Sequence, residues 1–422
     1  MLRTMIQLSL KILIFLAGIF VSGSFSTASD VNCDQLKSVQ DVVSCALKAH
    51  PDARLAQASL EQGQYLEDSA GQRPNPELNS QAVLGNTAIG DRFTYLEFNL
   101  AANFELGGKR SSRIEKANAE FDQRRAGAVG AREQVFISTL LSLYRTRQIQ
   151  SELEVLKGAL ESFARIQKQY RARPRLNPEQ TASLLIFEIA EGDYKLRLAP
   201  LETELDRQVR GLELALGKPF TPRPELLPER KKTWPRISDS LLSEPISGSQ
   251  VQGALADRKF AQAQLELAQS GSWPDLKIGP TFERQNQGFS SFNAVGLNFS
   301  LPLPLFHFNG AERAYAHLGL GKAELSLEAT RKEAQDQREY FFKRYGGAVK
   351  ALENSITPRE LDKKHLEVEL LFDRGLLPGT LVVEIHRQMV DFTKIQNEQE
   401  LAAIESLARF NALRGRLFEE QL

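Results

Sequence analysis

The stretch TYLEFNLAANFEL, residues 94–106, decides the fold, and it runs directly into GGKRSSRIEKANAEF. Leu96, Phe98, Leu100, Ala102, Phe104 and Leu106 fall on one side of an extended chain. Tyr95, Glu97, Asn99, Ala101, Asn103 and Glu105 fall on the other. Alternation with period two marks a strand with one apolar face. Gly107 and Gly108 then hand the chain to a helical pattern, which predicts a strand-to-helix corner.

Working outward, a shorter strand over about 77–84 precedes it. Leu78, Ala82 and Leu84 alternate with Glu77, Asn79 and Gln81, Ser80 weakens the apolar side, and GNTAIGD makes the turn. Upstream, residues 40–69 read as one helix, stopped by Arg73, Pro74, Asn75 and Pro76. Downstream, Lys109 to about Tyr170 holds no proline, and Ile149, Leu153, Leu156, Leu160 and Phe163 recur at the four-three spacing of a coiled-coil seam. A helix of about 60 residues is about 90 Å long and needs a partner of similar length. RARPRLNPEQ supplies the turn: Asn177 caps, Pro178 takes the first helical position, Glu179 adds an early acid, and a helix returns to about Leu216. The result is a long antiparallel helical hairpin.

GKPFTPRPELLPERKKTWPRISD, with five prolines, reads as a linker over 217–240. The pattern then repeats. A helix over about 250–269 leads to strands over about 275–283 and 293–303. In the second, Val295, Leu297, Phe299, Leu301 and Leu303 alternate with Gly296, Asn298, Ser300 and Pro302. A helical region from Ala311, interrupted at Thr357 and Pro358, turns at FDRGLLPGT and returns to the C-terminus. Matching Pro76 with Pro274 gives an offset near 200 residues, so residues 29–216 and 241–422 form two copies of one unit. The expected fold class is mainly α with a small β part.

Residues 1–28 read as a signal peptide: Arg3 and Lys11 flank the apolar LKILIFLAGIFV, and Ser26, Thr27 and Ala28 offer a cleavage point. A transmembrane anchor is the rival reading. Cys33 and Cys45, the only cysteines, form a disulfide in an oxidising compartment or else are two unrelated small apolar residues. With 53 basic and 53 acidic side chains, the charge balance does not point to nucleic acid.

Strands of about ten residues with one apolar and one polar face suit an outer membrane, apolar side to lipid. Four strands cannot close a barrel, and an open edge in lipid leaves backbone groups unpaired, so copies must share one: two give eight strands, three give twelve. The alternative is a soluble α+β protein whose hairpins pack on one another, or a secreted or periplasmic coiled-coil scaffold without a channel.

In AHPDARLAQASLEQ, RPNPEL, FELGGKRSSRIEKANAE and SLPLPLFHFNGAERAYA the chain resembles the TolC-type outer-membrane efflux factors, most closely their CzcC-like heavy-metal branch. The resemblance implies a homotrimer with a 12-stranded outer-membrane β-barrel over a periplasmic α-helical barrel. It implies a periplasmic adaptor (a membrane fusion protein) and an inner-membrane pump of the RND type as partners, and a passive duct without catalysis or cofactor.

Enzymatic motifs fail on inspection. GGKRSS and GLGK lack the glycine and hydroxyl spacing of a phosphate loop. His50, His307, His317, His365 and His386 are scattered without ligand spacing, and His365 and His386 near the second turn read as solvated helix-face residues, so no metal site is expected. The resemblance implies that the turns meet the adaptor and form the aperture. Arg175, Asn177 and Glu179 at the first turn, and Gly375 and Gly379 at the second, are the candidate adaptor contacts. Asp373, Glu384 and Arg387 are the candidate aperture residues. Arg387 three residues after Glu384 departs from the acidic ring that the resemblance implies and points to an ion-paired gate.

Overall fold

The computed structural model describes residues 33–419 except 87, 89 and 307. The expected signal peptide lies outside the described residues.

The N-terminal segment is three helices rather than one: α1 (Val39–Ala49), α2 (Pro51–Gly63) and α3 (Leu66–Gly71). Pro51 causes the first break. It has no N–H to continue α1, and it begins α2 behind the extended His50, whose ring Nδ1 accepts from the Asp52 amide at 3.1 Å. Ser38 starts α1 with a capping box: its hydroxyl accepts from the Asp41 amide, and the Asp41 carboxylate accepts from the Ser38 amide. Cys33 and Cys45 are bonded, with Cα atoms 5.6 Å apart, which ties the N-terminal arm to α1.

Strands β1 (Glu77–Asn86) and β2 (Arg92–Phe104) form a hairpin, and the corner follows as the sequence predicts. Gly107 and Gly108 adopt φ of 72° and 77°, the left-handed region, and a Cβ on Gly107 would fall 2.4 Å from the Trp273 ring. Helix α4 (Lys109–Arg171) then runs 63 residues, about 95 Å. Arg173 to Asn177 turn the chain, and the Asn177 side chain accepts from the Gln180 amide at 2.7 Å to start α5 (Pro178–Leu216).

The Pro-rich stretch is a packed strap and not a loose tether. Phe220, Leu226 and Leu227 are buried with Leu143, Val42 and Cys45, and Trp234 and Ile237 pack against Tyr345, whose hydroxyl donates to the Pro235 carbonyl. Beyond it lie α6 (Ser249–Ser270), β3 (Leu276–Gln287) and β4 (Ser290–Ser300). The second hairpin extends further into its turn than the alternation predicts, and β4 stops at Ser300 instead of 303, because Pro302 and Pro304 cannot donate to a ladder. Helices α7 (Gly310–Glu353), α8 (Pro358–Asp373) and α9 (Gly379–Leu413) follow.

The two halves correspond at their junctions. Gly108 precedes α4 with φ 77°; about 200 residues further on, Asn309 precedes α7 with φ 53°, a conformation that Asn tolerates better than most side chains. They differ in that α4 is continuous, whereas its counterpart is broken at 354–357, where Thr357 and Glu360 form a capping box behind Pro358. The molecule is long. Its accessible surface is 27906 Å², against about 16,000 Å² for a compact monomer of its mass.

Candidate functional site

All four strands pair antiparallel in the order β1-β2-β3-β4, so β1 and β4 have open edges. The sheet is apolar on the outside. Phe98, Leu100 and Phe104 are exposed while Asn99 and Ala101, on the opposite face, are buried. Cross-strand register keeps like with like: Leu78 faces Leu100, Phe98 faces Phe282 and then Val295, and Ala102 faces Ile278 and then Phe299. On the other face Asn79, Asn99 and Thr281 line up, as do Gln81, Glu97 and Glu283. A water-soluble sheet packed on helices would bury the first set. The soluble α+β expectation is not met, since the apolar faces of the two hairpins lie side by side in one sheet and do not cover each other.

At the far end of the long helices the two turns pack together. Phe163 and Tyr170 of α4, Phe187 and Tyr194 of α5 and Val382 of α9 share one buried cluster, with Phe163 5.2 Å from the Tyr194 ring and 5.6 Å from that of Phe187. Gly379 belongs to this contact. A Cβ there would approach the Phe187 ring to 2.8 Å, so the first helical residue of α9 has to be small. Gly379 is therefore buried and not an exposed adaptor contact. Gly375, with φ 70°, is exposed and allows the chain reversal after α8. Arg175, Asn177 and Glu179 are exposed at the first turn.

Glu384 and Arg387 form the expected pair on α9. The Arg387 guanidinium donates through Nε (2.9 Å) and Nη2 (2.6 Å) to the two Glu384 oxygens, a fork-to-fork contact. Arg387 also donates to Asp391, which Arg197 of α5 reaches at 3.4 Å while donating to Asp193. Alternating charges thus bridge α9 to α5. The Arg387 hydrogen bonds hold the Glu384 carboxyl down to about 2, and the same pairing raises Arg387. Asp373 is not part of this chain of charges; it pairs at 3.5 Å with Arg165 of α4.

The histidines near the second turn are not solvated. His386 of α9 is 2 % exposed, and its ring meets His365 of α8 with Nε2 atoms 3.4 Å apart. Glu369, one turn after His365, places Oε1 3.3 Å from His386 Nε2 and 3.6 Å from His365 Nε2. Ser162 of α4 donates to the same oxygen at 2.6 Å, and Arg165 reaches Glu369 Oε2 at 3.3 Å. The His386 hydrogen bond, supported by Ser162, holds the Glu369 carboxyl at about 2 against the opposing effect of burial; burial, with His386, pushes His365 below the usual histidine range. The sequence carries half of this signal, since His365 and Glu369 are four residues apart. It does not show that the turn brings His386 alongside.

This combination of a four-stranded sheet with an apolar exterior, two open edges and paired helical hairpins recurs in solved structures of outer-membrane channels. The Campylobacter jejuni CmeC outer membrane channel matches with a TM-score of 0.68 and 15% identity over 91% of this chain and 87% of that one. The outer-membrane channel OprN matches with 0.69 and 15% identity, covering 91% of each chain. In sequence the chain is similar to the cobalt-zinc-cadmium resistance protein CzcC of Cupriavidus metallidurans, 23% identical over 251 residues. The matched stretch covers 56% of this chain and spans about half the length of that protein, 55%. No protein-family pattern matches the chain. The chain thus has the fold of the TolC-type factors that the sequence resembles.

Proposed function

We propose that the chain is the outer-membrane channel of a tripartite efflux system. Three copies share a 12-stranded barrel, and their hairpins continue it as a helical duct through the periplasm. The observation that carries this reading is the inverted sheet. Strands of 10 to 13 residues extend about 33–43 Å, enough at a tilt to cross an apolar band about 25 Å tall. The open edges of β1 and β4 require neighbours, because an unpaired backbone group in lipid costs several kcal/mol. Exposed Leu185, Ile189 and Leu196, at spacings of four and seven along α5, supply an apolar stripe for the adjoining copy.

The duct is passive and carries no catalytic or cofactor chemistry of its own. An inner-membrane pump of the RND type supplies the energy through a periplasmic adaptor docked on the exposed turns at Arg175 to Glu179 and around Gly375. The similarity to CzcC favours cobalt, zinc and cadmium ions among the substrates, with small toxic compounds as the other class. Deleting the gene is expected to sensitise cells to these ions as strongly as deleting the pump does. Purified outer membranes are expected to yield a heat-sensitive trimer. Recovery of the protein in the wash without detergent would overturn the reading in favour of a soluble coiled-coil scaffold.

A further inference from the structure

We propose that His365, Glu369 and His386 form a binding site for a divalent transition-metal ion of the zinc class, which staples α8 to α9 across the second turn. The three ligand atoms stand 3.3, 3.4 and 3.6 Å from one another. Ligands at about 2.0–2.1 Å from a tetrahedral zinc ion are separated by about 3.3–3.4 Å, so the triangle matches one face of such a tetrahedron. His365 and Glu369 share a helix face four residues apart, and His386 closes the site from the opposite helix.

Protons satisfy at most two edges of this triangle. If His386 Nε2 carries hydrogen and donates to Glu369, it has no lone pair left for His365. If His365 donates to His386, the bare His386 nitrogen faces the carboxylate oxygen, lone pair against lone pair. If both rings carry hydrogen at Nε2, both aim at the one Glu369 oxygen that Ser162 already contacts, and the two nitrogens stand 3.4 Å apart with no bond between them. One cation satisfies all three edges at once. Two imidazoles and one carboxylate suit zinc, nickel or copper(II) better than magnesium or calcium, which take mainly oxygen.

The surroundings fit a bound ion. Ser162 donates to Glu369 Oε1 and Arg165 to Oε2, which fixes the carboxylate from outside. Phe163 lies edge-on to the His386 ring at 5.2 Å and forms an apolar wall. A cavity of about 280 Å³, lined by His365, His386, Gly158 and Met389 among others, lies against the two rings and is large enough for water beside them. This inference rests on side-chain geometry within one chain and stands or falls separately from the efflux reading.

The test uses the full-length protein, purified in detergent, stripped with a chelator and titrated with Zn²⁺ against a chromogenic competitor. One tightly bound Zn²⁺ per chain is expected, unaffected by excess Mg²⁺, and the stripped protein should take up Co²⁺ with tetrahedral absorption that Zn²⁺ then abolishes. Glu369→Gln and His365→Gln should each weaken binding by more than the about 10- to 100-fold typical of outer-shell changes, and Ser162→Ala by about 10-fold. Unchanged metal-free melting temperatures show that the variants fold. Should a variant fail to fold, hydrogen exchange on the wild-type protein decides: Zn²⁺ but not Mg²⁺ should slow exchange over residues 358–373 and 379–390. Absence of stoichiometric Zn²⁺ binding, equal binding by wild type and both ligand variants, or exchange indifferent to Zn²⁺ overturns the proposal.

Discussion

Glu133 lies in the middle of α4 and is 7 % exposed, with the Ser249 hydroxyl donating to its carboxylate at 2.5 Å. Burial raises its pKa, and that one hydrogen bond offsets the shift only in part. A carboxyl whose folded pKa is raised binds its proton more readily in the folded state than in the unfolded one. The resulting penalty is therefore absent below the unfolded value and appears as pH rises through the folded one. Glu133→Gln keeps the acceptor and removes the charge. It should raise the melting temperature at about pH 8 and leave it unchanged at about pH 4, below both pKa values; a lower melting temperature at pH 8 would contradict this account. At Gly379 the direction is opposite. Gly379→Val drives a branched side chain into the Phe187 ring, which is fully buried and cannot move aside, and should cost about 1–3 kcal/mol in denaturant melts. Of these residues, only those with a local cause were legible in the sequence. Gly107 and Gly108 mark the corner through their own backbone angles, whereas the burial of Gly379 is set by Phe187 on the other hairpin, which no local pattern encodes.

Strands and helices were easier to read, because alternation and heptad spacing are properties of a single element. The strand from which the fold was inferred spans 92–104 against an expected 94–106, and α4 matches its proline-free run. Where elements end depends on finer chemistry. The period of residues 40–69 is helical throughout, yet Pro51 divides it. Two predictions belong at this scale. Leu100→Arg, on the apolar face, should cost about 2–4 kcal/mol at mid-membrane, and Leu297→Arg should behave alike. Gln81→Arg, exposed on the polar face, should insert normally in a membrane-folding assay, and equal damage from both faces would refute the inverted sheet. On α9, Arg387→Glu sets a new acid beside Glu384 and Asp391 and breaks the bridge toward Arg197. Single-channel conductance in planar bilayers should rise. Adding Glu384→Arg should restore the closed level only partly, because the pair is re-formed with reversed sign and the new arginine no longer lies between two acids. Unchanged conductance in both would move the aperture to the turn at Arg175 to Glu179.

For the whole molecule, the duplication was legible because both halves carry the same order of periods at one offset, while the assembly had to be inferred from what a single copy leaves uncovered. Ile189→Asp places a charge on the exposed stripe of α5 and should remove the about 1.5–3 kcal/mol that a buried isoleucine contributes at each of three interfaces. The heat-sensitive band should then shift toward monomer in electrophoresis; an intact band would exclude α5 from the interface. The inverted sheet has a further consequence, for biogenesis. The helical body has its own cores, whereas in the proposed channel the sheet gains its burial from lipid and its last backbone hydrogen bonds from neighbouring copies. A lone chain that enters the bilayer early leaves two edges unpaired, and three chains that associate early hold an oily belt in water. In the proposed assembly both intermediates are unfavourable, which couples membrane entry to ring closure.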